Sequence, residues 1–455
     1  MDRNELRRLK PELESFLHRY LPLFGRLENH EHARQFVQGL LHGGQRRNVE
    51  NIAEEVQGGV VRTLQKFVAQ GCWKDAPIME QLRQHVVEVL GNPEGILNVD
   101  ETGFPKKGSK SVGVKRQYSG TLGRVDNCQV GVFMNYCAPT GHTLVDRRLF
   151  LPEEWAADWE RREEAGVPEG VIFRTKPELA LSMIQEAIIA GMPFQWVGGD
   201  SVYGDSPTFV QGVRALGKWY VVDTSSEARV WLKRPRQRKV GRSGPRGGRP
   251  FQHPRAITKP IPVAKAIRHI PASAWKRVTV AHGSQGPLVY DYAEMTVWFS
   301  EEGLPAAEPE RLLVRRSLGQ DAELKFHRSN APPEVPLVRL AEVRASRWTI
   351  EQDIQGGKGE CGLDEYETRG WTGWHHHTVL SMLALWFLVL QRLRLGEKRA
   401  ADERSRGPRP AAAPARPTTL GRGRNPRLVP VETPTKSTGQ SLSRKTPSRR
   451  VAAAK

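Results

Sequence analysis

The sequence predicts an α/β protein led by a helical segment, and three observations carry that reading. Apolar residues recur every three or four positions through residues 1–92. From 94 the period shortens to that of strands, and from about 176 to 225 helices and strands alternate.

In the first segment "ELESFLHRYLPLFGRL", "EHARQFVQGLLHG", "NVENIAEEVQGGVVRTLQKFVAQ" and "APIMEQLRQHVVEVLG" each gather apolar side chains on one helical face. Arg and Lys scattered over these short helices suit DNA but also any small helical domain, so the expectation of a helical DNA-binding domain over 1–92 rests on the motifs further along the chain. Then "EGILNVDETGF", "SVGVKRQYSG", "CQVGVFMNYCAP" and "HTLVDRRLFLP" read as strands set off by Gly, Asn and Pro, which predicts an antiparallel meander. "KPELALSMIQEAIIAGM" reads as a helix closed by Gly191, "FQWVGGD" as a buried strand, "SPTFVQGVRALG" as a helix capped by Ser206, and "KWYVVDTS" as a strand. The order β-β-β-α-β-α-β makes 93–225 the first part of a core. Residues 226–335 turn polar, Pro-rich and β-like, as an insertion does. Residues 336–396 return to helices, one over 339–359 and an apolar one over 374–395 that breaks at Gln391-Arg392 and reads as a buried helix.

Hydrophobic content of 38% suits a chain that buries a core, and no uninterrupted apolar run approaches the ~20 residues of a membrane span. The N-terminus is charged and amphipathic, with no apolar stretch ahead of a cleavage site, so the protein is expected in the cytosol. Four cysteines lack CxxC or zinc-ribbon spacing and read as reduced thiols. The triplet His375-His376-His377 is a poor ligand set, because neighbours on a helix point about 100° apart.

A net charge of +19 favours polyanionic partners. It is concentrated in two places. Residues 398–455 hold 15 Lys/Arg against three acids without periodicity, so 397–455 is expected as a disordered basic tail. The run "KRPRQRKVGRSGPRGGRPFQHPR" (233–255) holds nine Lys/Arg and no acid, and suits an exposed loop lying on phosphates or simply solvated.

Asp100 closes the apolar run "ILNV" and Asp200 follows "FQWVGG". In an α/β sheet both would project at the C-terminal ends of strands, where sites gather. If those strands are neighbours, so are the carboxylates. A third acid is offered by "RASRWTIEQDIQGGKGE", where Arg344, Arg347, Glu351 and Lys358 fall on one helical stripe. An acid flanked by cations suits a metal-bound phosphodiester: two divalent ions roughly 4 Å apart activate the attacking oxygen and stabilise the leaving one. Oxygen-only ligands prefer Mg²⁺ or Mn²⁺. Gly356-Gly357 inside that helix either admits DNA closely or frays it. Of the nearby acids, Glu101 and Asp126 are not expected as ligands, and Asp205 is expected to cap the next helix.

These stretches, "NVDETGFPKKGSKSVGVKRQYSGTLGRVDNCQVGVFMNY", "LPEEWAADWERREEAGVP", "GDSVYGD" and "RWTIEQDIQGGKGECGLDEYETRGWTGWHHH", resemble the insertion-sequence 701 family of DDE transposases, within the insertion-sequence 4 group, over about residues 20–395. The resemblance implies a ribonuclease-H-like catalytic core over 93–225 and 336–396, a β-rich insertion before the last acid, and a metal-binding triad on Asp100, Asp200 and Glu351. The group's Y-x2-R-x3-E-x6-K pattern is met by Arg347, Glu351 and Lys358, with Arg344 at the Tyr position. Arg344, Arg347 and Lys358 are then expected to meet phosphate, Arg347 and Lys358 from an open face beside the ions. Lys106 and Lys107 suit phosphate or a solvated turn. Tyr203 joins the DNA-contacting set from the turn behind Asp200, and Trp298 suits either stacking on an unpaired base or a β-core. The implied activity is cleavage at terminal inverted repeats, using two Mg²⁺ or Mn²⁺ ions, and joining of the 3′-hydroxyls to target DNA by a homodimer in the bacterial cytoplasm, on the nucleoid. A nuclease without strand transfer and an inactive DNA-binding regulator are the alternatives.

Overall fold

The computed structural model describes residues 3–42, 46–120, 123–238, 252–283, 286–319 and 322–405. The chain opens with helices α1 (Arg3–His18), α2 (Leu27–Leu41), α3 (Val49–Glu55), α4 (Val61–Gln70) and α5 (Asp75–Leu90). Their apolar stripes meet as the periodicity requires: Leu17, Phe36, Leu40, Ile52, Leu64, Phe67 and Leu82 are all buried in one cluster. Burying each such side chain contributes about 1.5–3 kcal/mol.

The sheet begins with β1 (Ile96–Pro105), β2 (Lys115–Ser119), β3 (Arg124–Ala138) and β4 (Gly141–Phe150). The meander differs from expectation in one respect. β1 pairs with β3, not with β2, while β2 and β4 share the other side of β3. Residues 106–114 link β1 to β2 and are far longer than a two-residue hairpin turn, so β2 can cross to the far side.

After α6 (Glu153–Ala157) and α7 (Trp159–Glu164), helix α8 (Lys176–Ile189) starts at a capping box. Thr175 and Glu178 each satisfy the other's backbone N–H. It leads through Gly191 (φ 70°) to β5 (Trp196–Gly199), the short α9 (Ser201–Gly204), α10 (Pro207–Ala215) and β6 (Trp219–Thr224). Ser206 caps α10 as expected. β1, β5 and β6 run parallel and adjacent.

The β-rich stretch holds β7 (Arg229–Trp231), β8 (Gln237–Arg238), β9 (Arg255–Ala256), β10 (Ile261–Pro262), α11 (Val263–Ala266), β11 (Lys276–Gly283), β12 (Gly286–Glu301), β13 (Leu304–Pro305), β14 (Glu310–Arg316) and β15 (Leu324–Ser329). Among the described residues thirteen strands form one sheet, ordered β10-β7-β12-β14-β15-β6-β5-β1-β3-β2, with β4 on β3 and β11 and β13 on β12. β15 hydrogen-bonds directly to β6. Of the basic run, β8 and β9 pair at its base and 239–251 lies outside the described residues.

α12 (Leu337–Ala345), α13 (Trp348–Cys361) and α14 (Trp371–Ser405) complete the fold. The single helix expected over 339–359 is divided at Ser346–Arg347. There the N–H groups of Arg347, Thr349 and Ile350 reach back three residues instead of four, which overwinds the chain. α13 continues through Gly356-Gly357 to Cys361 without fraying. By length and composition Trp371–Gly396 could cross a membrane, but Trp374, Leu380, Leu383 and Trp386 within it are buried against the rest of the protein. Of the residues expected as a basic tail, 397–405 are helical and 406–455 lie outside the described residues.

Candidate active site

Strand register brings the first two acids together. Asn98 is level with Gly198, so two residues on Asp100 comes level with Asp200, which caps α9 by accepting the Val202 N–H at 2.9 Å. The third acid joins through a cation. Arg347 donates from Nη1 to Asp100 Oδ2 at 2.9 Å and from Nη2 to Glu351 Oε1 at 2.5 Å. Glu351 sits one turn after Arg347 on α13, and its side chain is 56% exposed.

The glycines of "GGDSVYGD" are required by close approach. A Cβ on Gly198 would lie 2.2 Å from Asn98 Oδ1, and one on Gly204 would lie 1.9 Å from the Asp223 carbonyl oxygen. Gly204→Ala should therefore push α9 from β6 and cost about 1–3 kcal/mol, read as a lower urea midpoint at unchanged slope.

Burial pushes the Asp100 carboxyl up to about 7 against the pull of Arg347, with Asp200 and Glu101 adding to the rise. Burial and Glu101 raise Asp200 as well. Crowded, half-buried carboxylates of this kind are what an oxygen-liganded divalent cation relieves, so the donor set fits Mg²⁺ or Mn²⁺. As the side chains stand, no three acids, histidines or cysteines among the described residues enclose an ion, and Glu351 is turned onto Arg347.

Several expected contacts fall differently. Tyr203 is fully buried and presents no surface to DNA; its hydroxyl donates to Glu101 Oε2 at 2.9 Å. Glu101 also receives Lys176 at 2.9 Å and so is committed to holding α8 and α9 to β1. Arg344 lies on α12, apart from the Glu351 helix, and pairs with Asp223 at 2.5 Å. Neither Arg347 nor Lys358 stands on an open face. Both are partly buried, and the Lys358 ammonium donates to Thr102 Oγ1 at 2.8 Å and Gly103 O at 3.2 Å. Lys106 stacks 3.5 Å over the Tyr366 ring and donates to its carbonyl, and burial lowers it to about 8; Lys107 is exposed. Trp298 is half-buried in β12, level with Trp231 of β7. Asp205, expected as a helix cap, instead accepts Thr224 Oγ1 at 2.5 Å and the Ser225 N–H. His375, His376 and His377 each bond backbone carbonyls.

Two sets of residues escaped the sequence reading. Asp223 ends "YVVD" on β6 just as Asp100 ends "LNVD" and Asp200 follows "WVGG". Val222 is level with Gly199, so Asp223 comes level with Asp200, and the pattern of an apolar run before Asp could have found it. Burial would raise Asp223, but the His327 hydrogen bond at 2.8 Å and the charges of Arg344 and Arg347 hold it well below the usual carboxylate range. The second set is a polar ladder under α13. Asn98 donates to Asn135, Asn135 donates to Thr349 and Asp353, and His142 pairs with Asp353 at 2.8 Å. It ties α13 to β1, β3 and β4 and so fixes where Glu351 projects.

A family profile described as DDE superfamily endonuclease matches residues 19–287, which hold Asp100 and Asp200 but not Glu351. This chain belongs to the DDE superfamily endonucleases. It is 31% identical over 221 residues to a probable transposase for insertion sequence element IS701 from Microchaete diplosiphon, covering 48% of this chain and 54% of that protein. The chain thus matches about half the length of that curated relative, which agrees with the insertion-sequence 701 resemblance read from the motifs. Among solved structures the NurA nuclease from Sulfolobus solfataricus aligns over 62% of this chain and 90% of its own at 10% identity and a TM-score of 0.23, a likeness too distant to bear on fold or function.

Proposed function

We propose that this chain is a DNA transposase that cleaves at the terminal inverted repeats of its element and joins the 3′-hydroxyl ends to target DNA. The observation that carries the reading is Asp100 on β1 level with Asp200, just past the end of the adjacent parallel β5, with Glu351 one guanidinium away. The strand sequence β4-β3-β1-β5-β6, three antiparallel and then two parallel to β1, supports a ribonuclease-H-like core.

Asp100, Asp200 and Glu351 are the residues that would hold the ions. When bound, two divalent ions supply activation of the attacking oxygen and stabilisation of the leaving oxygen. The chain's own contribution is positional. The cap at Asp200 fixes that carboxylate, and the ladder under α13 aims Glu351. Lys358, whose ammonium bonds Thr102 and Gly103 of β1, and the exposed Lys107 are assigned to phosphate contacts. Residues 1–92 are assigned to DNA binding and a homodimer to holding both ends.

The test uses the full chain, Mg²⁺, labelled DNA carrying the element's inverted repeats and a target plasmid. Nicking at the repeat end followed by covalent transfer of label to the plasmid is expected. Nicking without transfer would replace the reading by a nuclease, and binding without nicking by a regulator.

A further inference from the structure

We propose that Asp223 is a positioning residue that takes Arg347 away from Asp100 and Glu351 when those carboxylates accept divalent ions, so that the site exchanges an internal cation for external ones. This rests on the metal-dependent reading above. Arg347 occupies two of the three carboxylates that the reading assigns to ions. It must release them, and a guanidinium released at a partly buried position needs another acceptor.

The geometry provides one. Arg347 Nε is buried without a hydrogen-bond partner and lies 3.9 Å from Asp223 Oδ2. A shift of about 1 Å would bring that pair to hydrogen-bond distance. Asp223 Oδ2 accepts Arg344 Nη2 at 3.0 Å, and a carboxylate oxygen has a second lone pair to offer. Asp223 itself cannot drift to meet the ions, since Arg344 Nε at 2.5 Å and His327 at 2.8 Å hold its other oxygen. Level with Asp200 but pinned from the far side, it is placed to receive a cation and not to become a ligand.

The test is Mn²⁺ binding to the metal-free full chain without DNA, followed by the electron paramagnetic resonance of free Mn²⁺. Arg347→Gln should tighten binding, because the competing cation is gone. Asp223→Asn should weaken it by about tenfold, within the range of coupling between neighbouring residues. In the Arg347→Gln background Asp223→Asn should change nothing. Equal weakening in both backgrounds would make Asp223 a ligand and overturn the proposal, as would wild-type affinity in folded Asp223→Asn. If Asp223→Asn unfolds because Arg344 loses its partner, Asp223→Asn/Arg344→Gln is compared with Arg344→Gln in the same cycle. Unchanged Mn²⁺ binding in Asp100→Asn/Asp200→Asn would instead sink the metal reading itself.

Discussion

Asp100→Asn, Asp200→Asn and Glu351→Gln are each expected to lower end cleavage and strand transfer by at least about a thousandfold, more than the loss of one donor from a charge-stabilising site. Size is kept and only charge is removed, so binding to inverted-repeat DNA should persist in gel-shift assays. Survival of wild-type cleavage in Asp200→Asn would reduce "GGDSVYGD" to a turn. Stability should separate from activity. Asp100 is held near 7, above its ordinary value near 4 in the unfolded chain, so the folded protein binds the extra proton. The metal-free protein should therefore lose stability as pH rises from about 4 to about 7, and Asp100→Asn should remove the part of that loss that Asp100 contributes, leaving the part due to the raised Asp200. Thermal melts of both proteins in chelator across that range would check it.

The second large effect lies away from the acids. Glu310→Gln is expected to cost about 3–5 kcal/mol, because it strips a buried ion pair of one partner. Glu310 is 2% exposed and accepts Arg328 Nε and Nη2 at 2.8 and 2.7 Å, with Arg214 at 2.9 Å. Arg328 also donates to the Gly204 carbonyl at 3.1 Å, so it braces the turn behind Asp200. Urea titration should show the fall, against well under about 1 kcal/mol for Lys110→Ala at the exposed Lys110–Glu164 pair. A Glu310→Gln protein as stable as wild type would mean that the pair contributes no net attraction.

What the sequence disclosed depended on range. Asp100 and Asp200 were legible because an apolar run ending in Asp is a local pattern, and the helix carrying Glu351 because its period is local. Tyr203 was not. It is buried in the main core, and its hydroxyl donates to Glu101, about a hundred residues earlier. The overwinding at Ser346–Arg347 has no Gly or Pro to announce it, and it accompanies the Asn98 side chain bonding the Ser346 carbonyl at 3.4 Å. Lys106 and Lys107 are adjacent in sequence, and only the fold separates the one stacked on Tyr366 from the exposed one. The order of β1, β2 and β3 was hidden because strand pairing depends on which side a connecting segment crosses.

The pairing of β15 with β6 limits how this chain can be shortened. Excising 226–335 as though it were a detachable module would leave Tyr220, Val221 and Val222 on an open edge strand, with backbone groups ready to pair with another molecule. Aggregation, rather than a smaller enzyme, is the foreseeable product. Changes in length are better absorbed between β8 and β9, which pair over two residues and add no strand to the large sheet.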